Sequence, residues 1–120
     1  MVSTSVFSEW TKVGGDDNTT TYVDLGTIEK KDHKVKLSSL LDYKTTEIFI
    51  GDNYSYFSQE SRNEYDCEEE TSRQLDWYLY SGNMRQGKIV NSHVNIQNKS
   101  RSIFPGGFNE TFFKIACGKK

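Results

Sequence analysis

Two cysteines, Cys67 in EYDCEEE and Cys117 in FFKIACGKK, constrain this 120-residue chain more than any other feature. A structural metal site draws three or four ligands, usually with C-x₂-C or H-x₃-H spacing. Neither spacing occurs, and the only helpers are His33 and His93, each isolated in a strand-like stretch. A nucleophilic cysteine needs a basic neighbour or a helix N-terminus. Cys117 sits at the wrong end of the helix expected below, and Cys67 lies between Asp66 and Glu68, Glu69 and Glu70, whose charges disfavour a thiolate. An even cysteine count in a small chain fits a bridge formed in an oxidising compartment. Closing a loop of about fifty residues would stabilise the fold by roughly 4 kcal/mol in the chain-entropy model, a large share of a small domain's margin. The alternative is two reduced, buried thiols.

The rest of the core must come from large rings. Hydrophobic residues make up only 34% of the chain while aromatics reach 13%, a content that disordered chains do not carry. The length allows one modest core, so residues 1–120 read as a single domain. With a net charge of −2 and both signs interspersed, nothing draws the chain to nucleic acid or anionic lipid. No run of eighteen apolar residues predicts a membrane span. The opening MVSTSVFSEW has neither the basic start nor the apolar stretch of a signal peptide.

Most of the chain reads as strands between polar turns. SVFSEWTKV presents Val6, Trp10 and Phe7; GGDDN makes a turn; TTTYVDLGTI runs to Ile28; KKDHKV turns into KVKLSSLLDY, with Val35, Leu37 and Leu41 at odd positions. EIFIGDN ends in turn residues Gly51, Asp52 and Asn53. YSYFSQESRNEYDC is a long, half-exposed strand. In SRQLDWYLYSG, Leu75, Trp77 and Leu79 alternate with Asp76, Tyr78 and Tyr80, the clearest period of two in the sequence. GKIVNSHVNI supplies one more strand. Such a succession without alternating helices implies antiparallel pairing. The end differs: in PGGFNETFFKIACGKK, Phe108, Phe112, Ile115 and Ala116 recur at helical spacing. Gly107 serves as N-cap, Glu110 complements the helix start, and Gly118 supplies the left-handed stop. The expected fold is α+β: one antiparallel sheet of about six strands, with a C-terminal helix of about ten residues packed on it.

These landmarks resemble the surface-adhesin protein E family of Gram-negative bacteria. The resemblance rests on SEWTKV, YVDLGTI, VKLSSLLDY, the long strand ending EYDC, Arg73 and LYSGNMRQGKIV, and above all the spacing from Pro105 through Glu110 to Cys117. It implies a sheet with a C-terminal helix bridged to it and adhesion to host extracellular-matrix proteins. It also implies export to the periplasm or outer surface, directed by a signal peptide outside these residues. Two departures stand out. Gly107 replaces the Ser that would complete a capping box with Glu110, and Ser102, Ile103 and Phe104 precede Pro105 where the family has a Trp.

Other chemistry is thin. The acidic cluster at Asp66 and Glu68 to Glu70 lacks an EF-hand pattern, and RQGKIV lacks the flanking residues of a phosphate loop. No cofactor or metal is expected. The tyrosines mark a candidate binding surface: Tyr78 and Tyr80 face away from Leu75, Trp77 and Leu79, and Tyr54 and Tyr56 lie on the neighbouring strand near Arg62. The leading expectation is a non-enzymatic, exported binding domain that recognises a host or envelope protein. A homodimer through edge strands or exposed faces is a further expectation. Two alternatives compete with it: a small or lipidic ligand held between sheet and helix, and a hydrolase using His33 or His93.

Overall fold

The computed structural model describes residues 10–49, 54–94 and 98–118. The expected strand start at Val6 and Phe7, the turn at Gly51 to Asn53 and the end of the GKIVNSHVNI stretch at Asn95 and Ile96 lie outside the described residues. Strands β1 (Trp10–Gly15), β2 (Thr19–Lys31), β3 (Lys34–Phe49), β4 (Tyr54–Asp66), β5 (Thr71–Tyr80) and β6 (Ile89–His93) pair antiparallel in chain order. The short β7 (Arg101–Ser102) returns to the outer edge of β5, and helix α1 (Phe108–Cys117) follows. The sheet is the antiparallel one that the sequence implies. Its sixth strand is shorter than expected among the described residues, and β7 is an addition.

Side-chain chemistry closes the hairpins. Between β2 and β3 the turn is two residues long, and Asp32 takes φ 57°, a region that Asp tolerates better than most residues. Between β4 and β5, the carboxylate of Asp66 accepts the backbone N–H groups of Glu68 (3.0 Å) and Glu69 (2.9 Å). Those two bonds, Glu69 first, hold the Asp66 carboxyl below its ordinary value, with His33 and Lys34 adding to the effect. The run of glutamates is thus a solvated turn organised by the aspartate before it.

Residues directly opposite in antiparallel strands share a face. On one face of the central strands lie Val23 of β2, Val35 and Leu37 of β3 and Tyr65 of β4, and on them α1 seats Phe112, Phe113 and Ala116; all seven are buried. The helix obeys its sequence signals. Gly107 is the N-cap in extended conformation, and Gly118 closes the C-terminus at φ 66° with its N–H on the Ile115 carbonyl. Glu110 reaches back to the N–H of Gly106 (3.0 Å), one residue before the cap. The two sulfurs of Cys67 and Cys117 are bonded across a sequence separation of 50, fastening the last turn of α1 to the end of β4.

A second fastening was not legible in the sequence. The buried Tyr65 donates its hydroxyl hydrogen to Asn109 Oδ1 (2.6 Å), and Asn109 Nδ2 donates to Ser72 Oγ (2.7 Å). Helix start and helix end are therefore both tied to the β4–β5 hairpin, one by hydrogen bonds and the other by sulfur.

Candidate functional site

The sheet turns one face to the helix and another away from it, and the binding residues expected from sequence distribute unevenly between and beyond them. On the face away from α1, the register runs Leu40–Glu60–Tyr78, Ser38–Arg62–Asp76 and Lys36–Glu64–Arg73 across β3, β4 and β5. Tyr78 and Arg62 are partly exposed there. Arg62 reaches Glu29 at 3.2 Å and Arg73 reaches Glu64 at 3.1 Å. Partial burial raises the Tyr78 hydroxyl and the Asp76 carboxyl above their ordinary values; Arg62 opposes the shift in both. Tyr78 thus sits among Arg62, Asp76 and Glu60 on this face.

Tyr80 departs from that reading. It shares this face with Tyr78, yet it is only 8% exposed. Its hydroxyl donates to Glu60 Oε1 (3.0 Å), and Arg85 Nε donates to the same oxygen (2.9 Å). The Arg85 guanidinium lies between two rings, 5.7 Å from the Tyr80 centroid and 5.8 Å from that of Trp10. What brings Arg85 there is the turn Asn83–Arg85, docked on the sheet by polar contacts. Asp42 accepts the Met84 N–H (2.7 Å) and the Asn83 side-chain amide (3.2 Å), while the buried Ser58 accepts the Arg85 N–H (3.1 Å) and donates to the Gly82 carbonyl (2.7 Å). Met84 and Arg85 both hold positive φ, 51° and 63°, a conformation that non-glycine residues keep only when their surroundings impose it. A loop folding back over its own sheet has no signal in a period of two, so the burial of Tyr80 could not be read from the sequence.

The other tyrosines separate as well. Tyr56 meets Tyr43 edge-on, with centroids 5.7 Å apart, and does not adjoin Tyr78 in the register. Tyr54 opens β4, and its side chain lies outside the described residues. Leu75 is the extra residue of a bulge, because the register slips between Arg62–Asp76 and Asn63–Gln74. Of the expected apolar row, only Leu79 is buried.

The structure does not bring the histidines together. His33 is in the β2–β3 turn, 3.4 Å from Asp66, whereas His93 lies across from Trp77 at the other end of β5, with ring centroids 4.7 Å apart. Three strand spacings and some five residues of rise separate them by roughly 20 Å, too far for one substrate. The layer between helix and sheet is filled by interlocking side chains, Phe113 lying 6.3 Å from Tyr65. Among the described residues, no three His, Cys, Asp or Glu side chains are grouped as a metal would require, and no helix is long and apolar enough to cross a membrane.

Beside the helix, on the face that α1 covers only in part, lies an open groove of about 400 Å³. Its floor is Ser39, Gln59, Ser61, Asn63, Ser72 and Gln74, uncharged hydroxyls and amides, with the apolar Leu41 and Phe112 beside them. Along β4 the floor residues Gln59, Ser61 and Asn63 alternate with Glu60, Arg62 and Glu64 of the opposite face, a direct consequence of strand geometry.

The fold is shared with known proteins. The crystal structure of protein E from non-typeable Haemophilus influenzae superposes with a TM-score of 0.66 at 15% identity, covering 97% of this chain and 80% of that one. Two further H. influenzae protein E structures give TM-scores of 0.63 and 0.65 at 16% identity, each covering 97% of this chain and 89% and 92% of theirs. No curated protein sequence matches. The family model for surface-adhesin protein E matches residues 10–118, nearly the whole chain, and the chain belongs to that family.

Proposed function

We propose that this chain is a non-enzymatic, exported adhesin-like domain that recognises a host or envelope protein through the sheet face turned away from α1. The observation that carries the reading is the division of labour between the faces. One holds the helix, while the other displays Tyr78 beside Arg62 and Asp76 on rigid neighbouring strands. An aromatic ring held among ordered charges is the kind of anchor around which protein interfaces concentrate their energy. Export belongs to the same reading, because a bridge joining Cys67 to Cys117 persists in an oxidising compartment.

The test is surface plasmon resonance of the disulfide-bonded domain against immobilised extracellular-matrix proteins. The wild type is expected to bind at least one of them, and Tyr78→Ser with Arg62→Glu to weaken that binding by about tenfold or more, worth about 1.4 kcal/mol. The melting temperature should move little, since both residues are partly exposed. Unchanged binding by the double variant would remove this face from the mechanism; no binding to any matrix protein would remove the adhesin reading itself.

A further inference from the structure

We propose that the groove beside α1 is a second binding site, for an acidic oligosaccharide, on the opposite face from the protein-recognition surface. Its lining explains the assignment. Across β3, β4 and β5 the floor offers hydroxyls and primary amides, groups that both donate and accept. They are already organised by one another. Ser61 Oγ accepts from Gln59 Nε2 and from Gln74 Nε2, each at 3.4 Å, which leaves its own hydrogen to donate. The Tyr43 hydroxyl donates to Gln59 Oε1 at 3.3 Å, and Asn63 Nδ2 donates to the Tyr65 hydroxyl at 3.4 Å. A ligand meeting this floor orders little that is not already ordered.

One wall is the helix start, where Phe108 is 37% exposed, and the other is the segment carrying Lys99 and Arg101. Asn98 ties that segment to β5 by donating to the Gln74 carbonyl (3.3 Å). The lining therefore contains two cations and no carboxylate, in a chain whose acidic residues outnumber its basic ones 17 to 15. Neither cation makes an ion pair among the described residues.

Uncharged donors and acceptors in a shallow trough, a ring at one wall and positive charge at the other match a polyhydroxylated ring bearing a carboxylate or sulfate. They do not match the alternatives. A protein interface core is poor in Ser and rich in aromatics, strand addition needs a free backbone edge and not a sheet face, and two cations are too few for a nucleic-acid backbone.

The experiment is a ¹H–¹⁵N NMR titration of the intact, disulfide-bonded domain with three oligosaccharides of equal length: sulfated, unsulfated with uronic acids, and neutral. Shifts are expected at Ser61, Asn63, Gln74 and Phe108 with at least one acidic ligand. Lys99→Glu with Arg101→Glu should weaken that binding by about tenfold or more, again about 1.4 kcal/mol. Gln74→Leu should weaken it without moving the melting temperature, and Tyr78→Ser should leave it unchanged, which separates this site from the face of the proposed protein partner. Binding of the sulfated ligand alone assigns a host-matrix type of polymer, and binding of the unsulfated acid assigns a bacterial-polysaccharide type. The proposal is overturned if no oligosaccharide shifts these residues up to about 10 mM, if the footprint lies elsewhere, or if the neutral ligand binds as tightly as the acidic ones.

Discussion

Replacing both cysteines by alanine tests the architecture at its most constrained point. The bridge closes a loop with a sequence separation of 50 that contains β5, β6 and β7. Chain entropy assigns such a closure about 4 kcal/mol at room temperature. Unfolding entropies near 2.1 cal/mol/K per residue then translate that loss, for a chain of this size, into a fall in melting temperature of about 16 °C. Native α1 should nevertheless stay docked at 25 °C. Phe112 and Phe113 are almost fully buried, each worth about 2–3 kcal/mol, and Tyr65 and Asn109 hold the helix start independently of sulfur. Calorimetry of the wild type and of C67A/C117A reads the first quantity, and amide hydrogen exchange along 108–117 reads the second. A melting temperature within about 5 °C of the wild type would refute the loop-closure reasoning. Loss of helix protection at 25 °C with the sheet intact would refute the claim that packing suffices.

Other outcomes follow from single contacts. Tyr65→Phe removes the hydroxyl that donates to Asn109 and should cost about 1–3 kcal/mol in urea unfolding. Asn109→Ala should cost more, since it also removes the bond to Ser72, and the double variant should cost less than the sum of the two single ones. Gly118→Ala meets open space but must hold φ 66°, so it should cost about 1 kcal/mol. Gly107→Ser, at an N-cap already extended at φ −91° and ψ 172°, should gain a few tenths of a kcal/mol, visible as a small rise in melting temperature. Burial raises the Tyr65 and Tyr43 hydroxyls well above the ordinary tyrosine value of 10.0. The unfolded chain therefore releases protons that the native state retains, so these two tyrosines should leave stability unchanged below about pH 10 and lower it above. Tyr65→Phe should flatten that alkaline slope, which urea titrations at rising pH can read.

The sequence carried the elements whose signals are local. Gly107 and Gly118 bound helix α1 as their cap chemistry predicts, because caps act within a turn. Ring spacing gives the buried side only in part, since Phe112 and Ala116 are buried but Phe108 is 37% exposed and Phe113, outside that spacing, is buried. The odd positions of VKLSSLL named the helix-facing residues Val35 and Leu37, because strand geometry alternates whatever lies above it. What could not be read is what folds over a face. Tyr78 and Tyr80 are equivalent in period, yet Arg85 and Glu60 bury only Tyr80. The bulge at Leu75 likewise depends on β4, whose register nothing in β5 specifies.

For the candidate sites the division is similar. Alternation assigns Arg62 and Tyr78 only to a side of their own strands; the β4–β5 register puts both on one face. The groove is hard to read from sequence because Ser39, Ser61 and Gln74 come from three strands, and only the register collects them. Its one legible trace is in β4, where Gln59, Ser61 and Asn63 alternate with Glu60, Arg62 and Glu64.

By itself, the order of residues determined a sheet of antiparallel strands, a short capped helix and two thiols suited to pairing, because caps, turns and alternation are decided by neighbours. Tertiary structure decided which tyrosine stays accessible, where the register slips and which distant hydroxyls and amides share one trough. Those outcomes depend on cross-strand pairing and on a loop docking over the sheet, contacts whose partners lie tens of residues apart and leave no periodic mark along the chain.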